Sequence, residues 1–455
     1  MNLTLSIPLE VQEILQTLES AGFKAYVVGG CVRDALLCQI TRNPYIPKDW
    51  DITTSATPDE VMRVFADSKV LPTGLKHGTV SLIKKSVPYE ITTFRIDGDY
   101  LNARSPESVH FSTSLEEDLK RRDFTINALA YHYHEGLVDR FCGLDDLQNG
   151  VIRCVGNANE RLCEDALRIL RALRFASLLG FTIEQSTKDA MFAHRQRLTK
   201  ISQERIRVEL TKLLCGKNVK SVLEEYAEII AVCIPEIFPM IGFRQHHPYH
   251  HLDVWGHTIL AIDRACEDSI IRWTMLLHDI GKPHTFTQKE GVGHFYGHAQ
   301  KSALIAEKIL DRLRWDKKTK CVILTLITHH DIVLESSPKS VRRLLSKLDN
   351  ELFELLLEVK KADILAQNPS LISERLKNLA EIREIKAQVL DSQMAFCLKD
   401  LAVNGRDLQH IGITEGKEIG KILSTLLTLV IEEKIENTQA SLLREARTLY
   451  HSAHK

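Results

Sequence analysis

The chain is short of several features that would assign it to a class at once. Its ten cysteines include no C-x-x-C pair, which argues against a zinc ribbon or a disulfide framework and for reduced thiols. No apolar run approaches the ~20 residues of a membrane-crossing helix, so no membrane partner is expected. The opening stretch MNLTLSIPLEVQEILQTLES lacks a basic leader, a continuous apolar segment and a small-residue cleavage site. A cytoplasmic setting is therefore expected. Internal repeats and low-complexity linkers are missing. A net charge of −1 carries no global sign of a nucleic-acid partner. What is present is an ordinary globular composition, 44% hydrophobic and 26% charged, spread over 455 residues. That is too long for one compact domain.

Four stretches read differently. Residues 1–140 mix short β-rich runs (AYVVGG, GTVSLI, YEITTF) with helical segments, as an α/β domain does. From 141 to 244 strand signals almost vanish, and CEDALRILRALRFASLLGF and RIRVELTKLL carry apolar residues at helical spacing. Within residues 151–220, fourteen Lys/Arg face seven Asp/Glu, a local basic excess suited to phosphate contacts. Residues 245–370 stay helical but become histidine-rich, with five of the nineteen histidines in 245–257. The remainder, 371–455, is charged and helical and has no chemical motif.

The first stretch holds the strongest chemistry. AYVVGG predicts a strand that turns at Gly29-Gly30 into a helix beginning CVRDALL. Two glycines there let the backbone approach a triphosphate, and the helix N-terminus adds free N–H groups and a positive dipole end. Arg33 sits one turn in, followed by Asp34. Soon after comes Lys48-Asp49-Trp50-Asp51. On a strand, residues two apart point to the same side, so Asp49 and Asp51 can present both carboxylates to one hard cation. Glu90 can add a third from a neighbouring strand. Phosphoryl transfer needs such an ion, Mg2+, to hold the triphosphate and activate an attacking hydroxyl.

These motifs, with PTGLKHGTVSL, YEITTFRIDGDY, DLKRRDFTINALA, DRFCGLDDL, CEDALRILRALRFA and RIRVEL, resemble the class II tRNA nucleotidyltransferases, the CCA-adding enzymes and bacterial poly(A) polymerases. The resemblance covers roughly residues 20–215. It implies a polymerase-β-like α/β head followed by all-α neck, body and tail domains. It also implies CTP and ATP as substrates and the tRNA 3′ end as acceptor. Arg121-Arg122-Asp123 fits the family's Arg-Arg-Asp element, which contacts the triphosphate or the incoming nucleotide.

Glu164-Asp165-x-x-Arg168 fits the family's Glu-Asp-x-x-Arg motif. Read as one helix, Asp165 and Arg168 share a face, and Arg171 and Arg174 extend the row. An aspartate accepts from an exocyclic amino group while arginine donates to a ring nitrogen or carbonyl. The pair can thus read the edge of cytosine or adenine, and a uracil or guanine would leave the aspartate unpaired. The resemblance implies that these amino acids serve as the template.

In the third stretch His257, His278-Asp279 (in MLLHDIGKP) and Asp363 follow the order seen in the HD superfamily of metal-dependent phosphohydrolases. Such a set suits a transition-metal ion. His298 and either His329 or His330 can complete a two-metal version. His246, His247, His250 and His251 read as surface or substrate contacts rather than ligands.

The leading expectation is completion of the tRNA 3′-terminal CCA. Rivals are an A-adding or CC-adding specialist and a poly(A) polymerase; a full-length RIDGDYLNARSPESVHF stretch with Arg104 argues against the CC-only type. From another class, the rival is an HD phosphohydrolase whose head only senses nucleotides; the presence of both Asp49 and Asp51 argues against it.

Overall fold

The computed structural model describes residues 4–41, 47, 49–97, 109–392 and 395–454. Lys48 and Arg104 therefore lie outside the described residues. The chain divides into two compact units, Met1–Pro235 and Glu236–Lys455.

The first unit begins with a mixed seven-stranded sheet. Strands β1 (Ala25–Val28), β2 (Ile52–Thr54), β3 (Lys69–Gly74), β4 (Thr79–Lys84) and β5 (Val87–Thr93) run in the order β3-β4-β5-β2-β1, continued by Leu129–His132 and Gly136–Asp139. The three β-rich runs of the sequence are β1, β4 and β5. Only the β2–β5 pair is parallel. β1 and β2 are buried at every position, the pattern of strands covered on both faces. Helix α1 (Leu9–Ser20) buries Val11, Ile14, Leu15 and Leu18, the stripe that 3.6-residue periodicity places on one face. Helix α2 (Gly30–Thr41) follows β1 directly. The turn between them is Gly29, whose φ is +82° and where a Cβ would stand 3.0 Å from Arg122 Nη1. Both the angle and the crowding favour glycine.

Beyond the sheet the unit is mainly helical, with two short strand pairs, Arg95–Asp97 with Val109–Phe111 and Val151–Ile152 with Thr182–Ile183. The helix Leu167–Leu179 packs on Gln203–Leu214, where the Ser177 hydroxyl donates to the Leu213 carbonyl at 2.7 Å. Here one expectation fails. CEDALRILRALRFASLLGF is not a single helix: Ala158–Glu164 ends, Asp165 is extended (φ −136°, ψ 103°), and a new helix starts at Leu167. The cause is local. The Asp165 carboxylate accepts the Leu167 N–H at 3.0 Å, and such a short-range side-chain bond competes with continued helix. Asp165 and Arg168 thus do not share a helical face.

The second unit is almost wholly helical. Val254–Arg264, Ser269–Leu277, His298–Arg312, Lys317–His329 and Asn350–Leu365 pack around a common core. Capping aspartates fix where four of them start: Asp253 accepts from Gly256 N (2.7 Å), Asp268 from Ile270 N (2.8 Å), Asp316 from Thr319 N (2.9 Å) and Asp349 from Leu352 N (2.7 Å). The C-terminal helices Gly405–His410, Gly416–Ile431 and Gln439–Ala453 close a core of their own around Leu408, Leu426 and Leu442. Among the described residues no helix is long and apolar enough to cross a membrane.

Candidate functional site

The sheet register brings the head carboxylates together. β2 and β5 pair Ile52 with Ile91, and both isoleucines are buried. Strand alternation therefore turns the preceding residues, Asp51 and Glu90, to the opposite side, where both are exposed with Asp49. One detail differs from the expectation. Asp49 and Asp51 precede β2, which starts at Ile52; the Asp51 carbonyl is held by Val28 N–H at 3.0 Å. Asp51 is accessible to solvent yet crowded by protein, and its carboxyl is raised above the usual aspartate range. Desolvation is the main cause; Arg122 opposes it, and the charges of Glu90 and Asp49 add to it. Three mutually repelling carboxylate groups with only oxygen donors fit a hard divalent cation, which would relieve that repulsion.

The arginines beside this cluster are already tied to protein groups. Arg33 bonds Asn127 Oδ1 (2.6 Å) and Asp34 Oδ1 (2.9 Å). Arg121 and Arg122 bracket the buried Asp118 at 2.7 and 3.2 Å. Desolvation pushes the Asp118 carboxyl up, but the two guanidiniums outweigh it and hold it low. Asp123 is buried and accepts from Arg171 Nε (2.6 Å) and Asn127 Nδ2 (3.0 Å). Burial raises its carboxyl, yet Arg171 prevails and lowers it to about 2. Asp123 thus faces the protein interior.

In the next helices Asp165 Oδ2 pairs with Arg205 at 2.8 Å. Arg168 bonds Glu164 (2.6 Å) and the carbonyls of Arg161 (2.8 Å) and Arg121 (3.0 Å). Arg174 pairs with Glu209 at 3.0 Å. The guanidiniums of Arg33, Arg171 and Arg174 surround the Phe175 ring, 4.9, 5.6 and 4.3 Å from its centroid. Asp118, Arg205 and Glu209 were missed in the sequence. The i, i+4 spacing of Arg205 and Glu209 in RIRVEL was the one available signal.

The second unit brings together His257, His278, Asp279 and Asp363, and with them His298 and His330 of the second expected set. His330, not His329, joins the cluster; His329 bonds the Thr325 carbonyl instead. Each of the four cluster imidazoles bonds a backbone carbonyl through Nδ1: His257 to Ala366 (3.2 Å), His278 to Met275 (2.7 Å), His298 to Phe295 (2.9 Å) and His330 to Ile327 (2.6 Å). That bond fixes the proton on Nδ1 and leaves each Nε2 lone pair facing inward. The inward atoms converge on Asp279. Oδ2 has His278 at 3.2 Å and His257 at 3.5 Å, and Oδ1 has His298 at 3.5 Å and His330 at 3.6 Å. Neither oxygen has a directed hydrogen bond, although Lys282 Nζ stands 2.6 Å from Oδ2. His257 and His278 meet Nε2 to Nε2 at 3.4 Å, His298 and His330 at 3.2 Å. Two lone pairs facing each other across buried carboxylate oxygens call for a cation. Burial disfavours charge on His278, but Asp279 and Asp363 raise it to about 10, and both carboxyls lie well below the usual range.

Of the four histidines expected at the surface or in contact with substrate, His250 is half-buried and lines the cavity over the cluster. It packs edge-on against His257, 4.9 Å between centroids. Desolvation, aided by Lys282, pushes it down to about 2, so it stays neutral.

Residues 25–153 match the family described as "Poly A polymerase head domain", and residues 298–446 match tRNA nucleotidyltransferase domain 2. Between them, residues 180–238 match "Probable RNA and SrmB- binding site of polymerase A". A CCA-adding enzyme of Lactobacillus helveticus is 34% identical over 439 residues, 94% of this chain and 94% of that one. The chain belongs to the CCA-adding enzyme family. A second member, from Oceanobacillus iheyensis, is 50% identical over 216 residues, about half of each chain at 48% and 52%. The fold follows the family: a Bacillus stearothermophilus CCA-adding enzyme, solved in complex with CTP, superposes with a TM-score of 0.71 at 28% identity, covering 98% of both chains. The polymerase-β-like head followed by helical domains is thus the architecture of this CCA-adding enzyme relative.

Proposed function

We propose that the chain adds C, C and A to the 3′ end of tRNA from CTP and ATP, without a nucleic-acid template, releasing pyrophosphate. The observation that carries this reading is the Asp49, Asp51 and Glu90 cluster beside the Gly29 turn, in a chain of this family. Asp49 and Asp51 would hold Mg2+, which supplies charge neutralisation on the triphosphate and on the attacking hydroxyl. The residues of the chain do the rest. Gly30 and the start of α2 offer backbone N–H groups to phosphate oxygens, while Gly29, whose own N–H is bonded to the Leu129 carbonyl at 3.0 Å, keeps the turn free of a side chain. Arg33, Asp34, Arg121 and Arg122 form the charged wall beside them. Asp165 and Arg168 read the base edge, Asp165 oriented by Arg205 and Arg168 by Glu164. Asp123 supports Arg171 rather than touching nucleotide. On this reading residues 1–140 form the head, 141–244 the neck, 245–370 the HD-type part and 371–455 the tail, and the setting is the cytoplasm, where tRNA is matured.

The deciding experiment offers tRNA transcripts ending before CCA, after C and after CC, with each nucleotide supplied separately. Ordered addition of C, C and A is expected. Addition of A alone, or of A repeatedly, would replace the reading by an A-adding enzyme or a poly(A) polymerase.

A second reading, that the Asp279 cluster is an HD-type metal site with phosphohydrolase activity, is favoured by the four carbonyl-locked imidazoles. His257, His278, Asp279 and Asp363 would hold one ion, and Asp279, His298 and His330 a second. Imidazole-rich ligation suits a transition metal better than magnesium. Such an ion supplies an activated water at neutral pH.

A further inference from the structure

The imidazole–carboxylate cluster opens into a cavity of about 600 Å³, within the range of small-molecule sites. Its wall carries two ring pairs that take no part in the cluster. His294 and Tyr296 lie parallel, 5.4 Å between centroids and 7° between planes. His247 and Tyr249 lie 5.4 Å apart at 25°. In each pair the spacing is two residues, and the tyrosine lies in a turn, at Pro248–Tyr249 and at Tyr296–Gly297. These are not core aromatics: Tyr296 is 77% exposed and Tyr249 43%. The Arg375 guanidinium lies 5.5 Å from the Tyr249 ring centroid and lines the same cavity, as do Lys282 and Lys360.

We propose that this rim is a nucleobase-stacking subsite, and that the substrate of the second site is a nucleoside phosphate ester, the phosphorylated 3′-terminal nucleotide of an RNA strand. The proposal rests on the HD-type reading for its chemistry but on the rings for its specificity. Every base has a π-face, so an exposed tyrosine backed by a parallel imidazole accepts any of them. Cations along the wall attract the phosphate, and the cluster at the cavity floor receives it. The mouth is open to solvent at Val333, 91% exposed, which leaves a path for the preceding nucleotides. In the hydrolysis, a water oxygen bonds to phosphorus and the bond from phosphorus to the ribose oxygen breaks. The proton lost by water ends on that oxygen, so no further reactant is needed.

The test uses the full chain. Binding of adenosine 3′-monophosphate is measured by calorimetry in chelator for wild type, Tyr296→Ala, Tyr249→Ala, the double variant and Tyr296→Phe. Hydrolysis of the same compound and of glycerol 2-phosphate, an ester without a base, is followed in the metal-loaded protein. The double variant should bind the nucleotide roughly 5- to 100-fold more weakly, while Tyr296→Phe stays within about twofold of wild type. Any nucleotide held by the head is the portion that survives in the double variant. Glycerol 2-phosphate cleavage should be unchanged. Nucleotide binding that is insensitive to both tyrosines overturns the proposal, as does an equal loss for both esters. If the wild type holds no metal and cleaves neither ester, the hydrolytic reading fails. Tyrosine-dependent binding of the nucleotide would then still support the rim.

Discussion

The two candidate metal sites are built on opposite plans. The head site is exposed, made of oxygen donors, and placed where Asp49 and Asp51 lead into β2 and Glu90 stands on the neighbouring strand. Its carboxylates repel one another, and no imidazole belongs to the set. The second site is buried, and four imidazoles are each locked by a backbone carbonyl around one shared aspartate. The difference teaches what each is suited to. An open oxygen cluster can take a hard ion that arrives with a triphosphate and leaves with pyrophosphate. A buried, nitrogen-rich, pre-oriented cluster suits a resident ion.

That contrast is broken most directly by removing head carboxylates. Asp49→Ala or Asp51→Ala should lower nucleotide addition by on the order of 1,000-fold or more, because each removes a ligand to the ion that carries transition-state charge. The melting temperature should hardly move, since both side chains are exposed and exposed substitutions rarely shift stability by more than ~0.5 kcal/mol. Primer extension and a thermal melt on the same sample decide it. Addition at a near-normal rate in either variant would end the assignment of the head.

The next largest effect belongs to the other site. His278→Ala should strip bound transition metal and abolish hydrolysis of 2′,3′-cyclic phosphate or phosphomonoester ends, leaving CTP and ATP addition in place. Because His278 is fully buried, His278→Gln serves as the companion that keeps the volume. Elemental analysis and both activities on each purified variant are the readouts. Loss of nucleotide addition in a folded variant would show that the two chemistries are not separable.

The head was the most legible part of the chain because its chemistry is local. Gly29-Gly30, Arg33 and the Asp49/Asp51 pair fall within a strand-turn-helix and the approach to the next strand, so short-range spacing exposes them. The parallel pairing that sets Glu90 beside Asp51 depends on sheet register, which spacing alone does not reveal. The histidine cluster was partly legible through His278-Asp279, but choosing His330 over His329 needs the actual end of the helix Lys317–His329. The break at Asp165 was hidden because the apolar spacing continues across it. A single side-chain bond to Leu167 N–H decides the backbone there, and periodicity does not register it. The setting of Asp123 was hidden for a related reason: the Arg-Arg-Asp element suggests a nucleotide contact, yet Arg171, forty-eight positions on, draws the carboxylate inward.

A smaller effect tests whether the amino acids at the base edge select the nucleotide. Asp165→Ala combined with Arg168→Ala should reduce discrimination against UTP and GTP by roughly 5- to 100-fold, the range expected when a buried polar partner is lost. Arg168 also bridges Glu164 and the Arg121 carbonyl, so overall rate should fall too. Arg205→Ala, which frees Asp165 without deleting it, should weaken selectivity less. Selectivity measured as the ratio of kcat/KM for CTP over UTP separates the outcomes. A fall in rate with the ratio unchanged would move both residues to phosphate binding.

The smallest expected effect distinguishes carboxylates that serve an ion from one that serves the fold. Asp123 is buried against Arg171, and its folded value of about 2 lies below that of an ordinary aspartate. A carboxyl depressed on folding contributes stability that is fully present above its unfolded value, near 4, and lost as pH falls through its folded value. The first unit should therefore lose about 2 kcal/mol from this group between roughly pH 4 and pH 2. Asp123→Asn cannot carry that charge. Its amide must turn an N–H toward either Arg171 or Asn127, both of which donate to the native carboxylate, so a like-polarity contact is unavoidable. The variant should be less stable at neutral pH by a similar amount, about 2 kcal/mol. It should also show a flatter acid limb in chemical denaturation. Folded Asp123→Asn should still bind the head's ion, because Asp49 and Asp51 are untouched. Mg2+ titration of nucleotide addition checks this at neutral pH. An apparent Mg2+ affinity weakened by tenfold or more would place Asp123 with the ion after all, and the division between supporting and ion-binding carboxylates would be wrong.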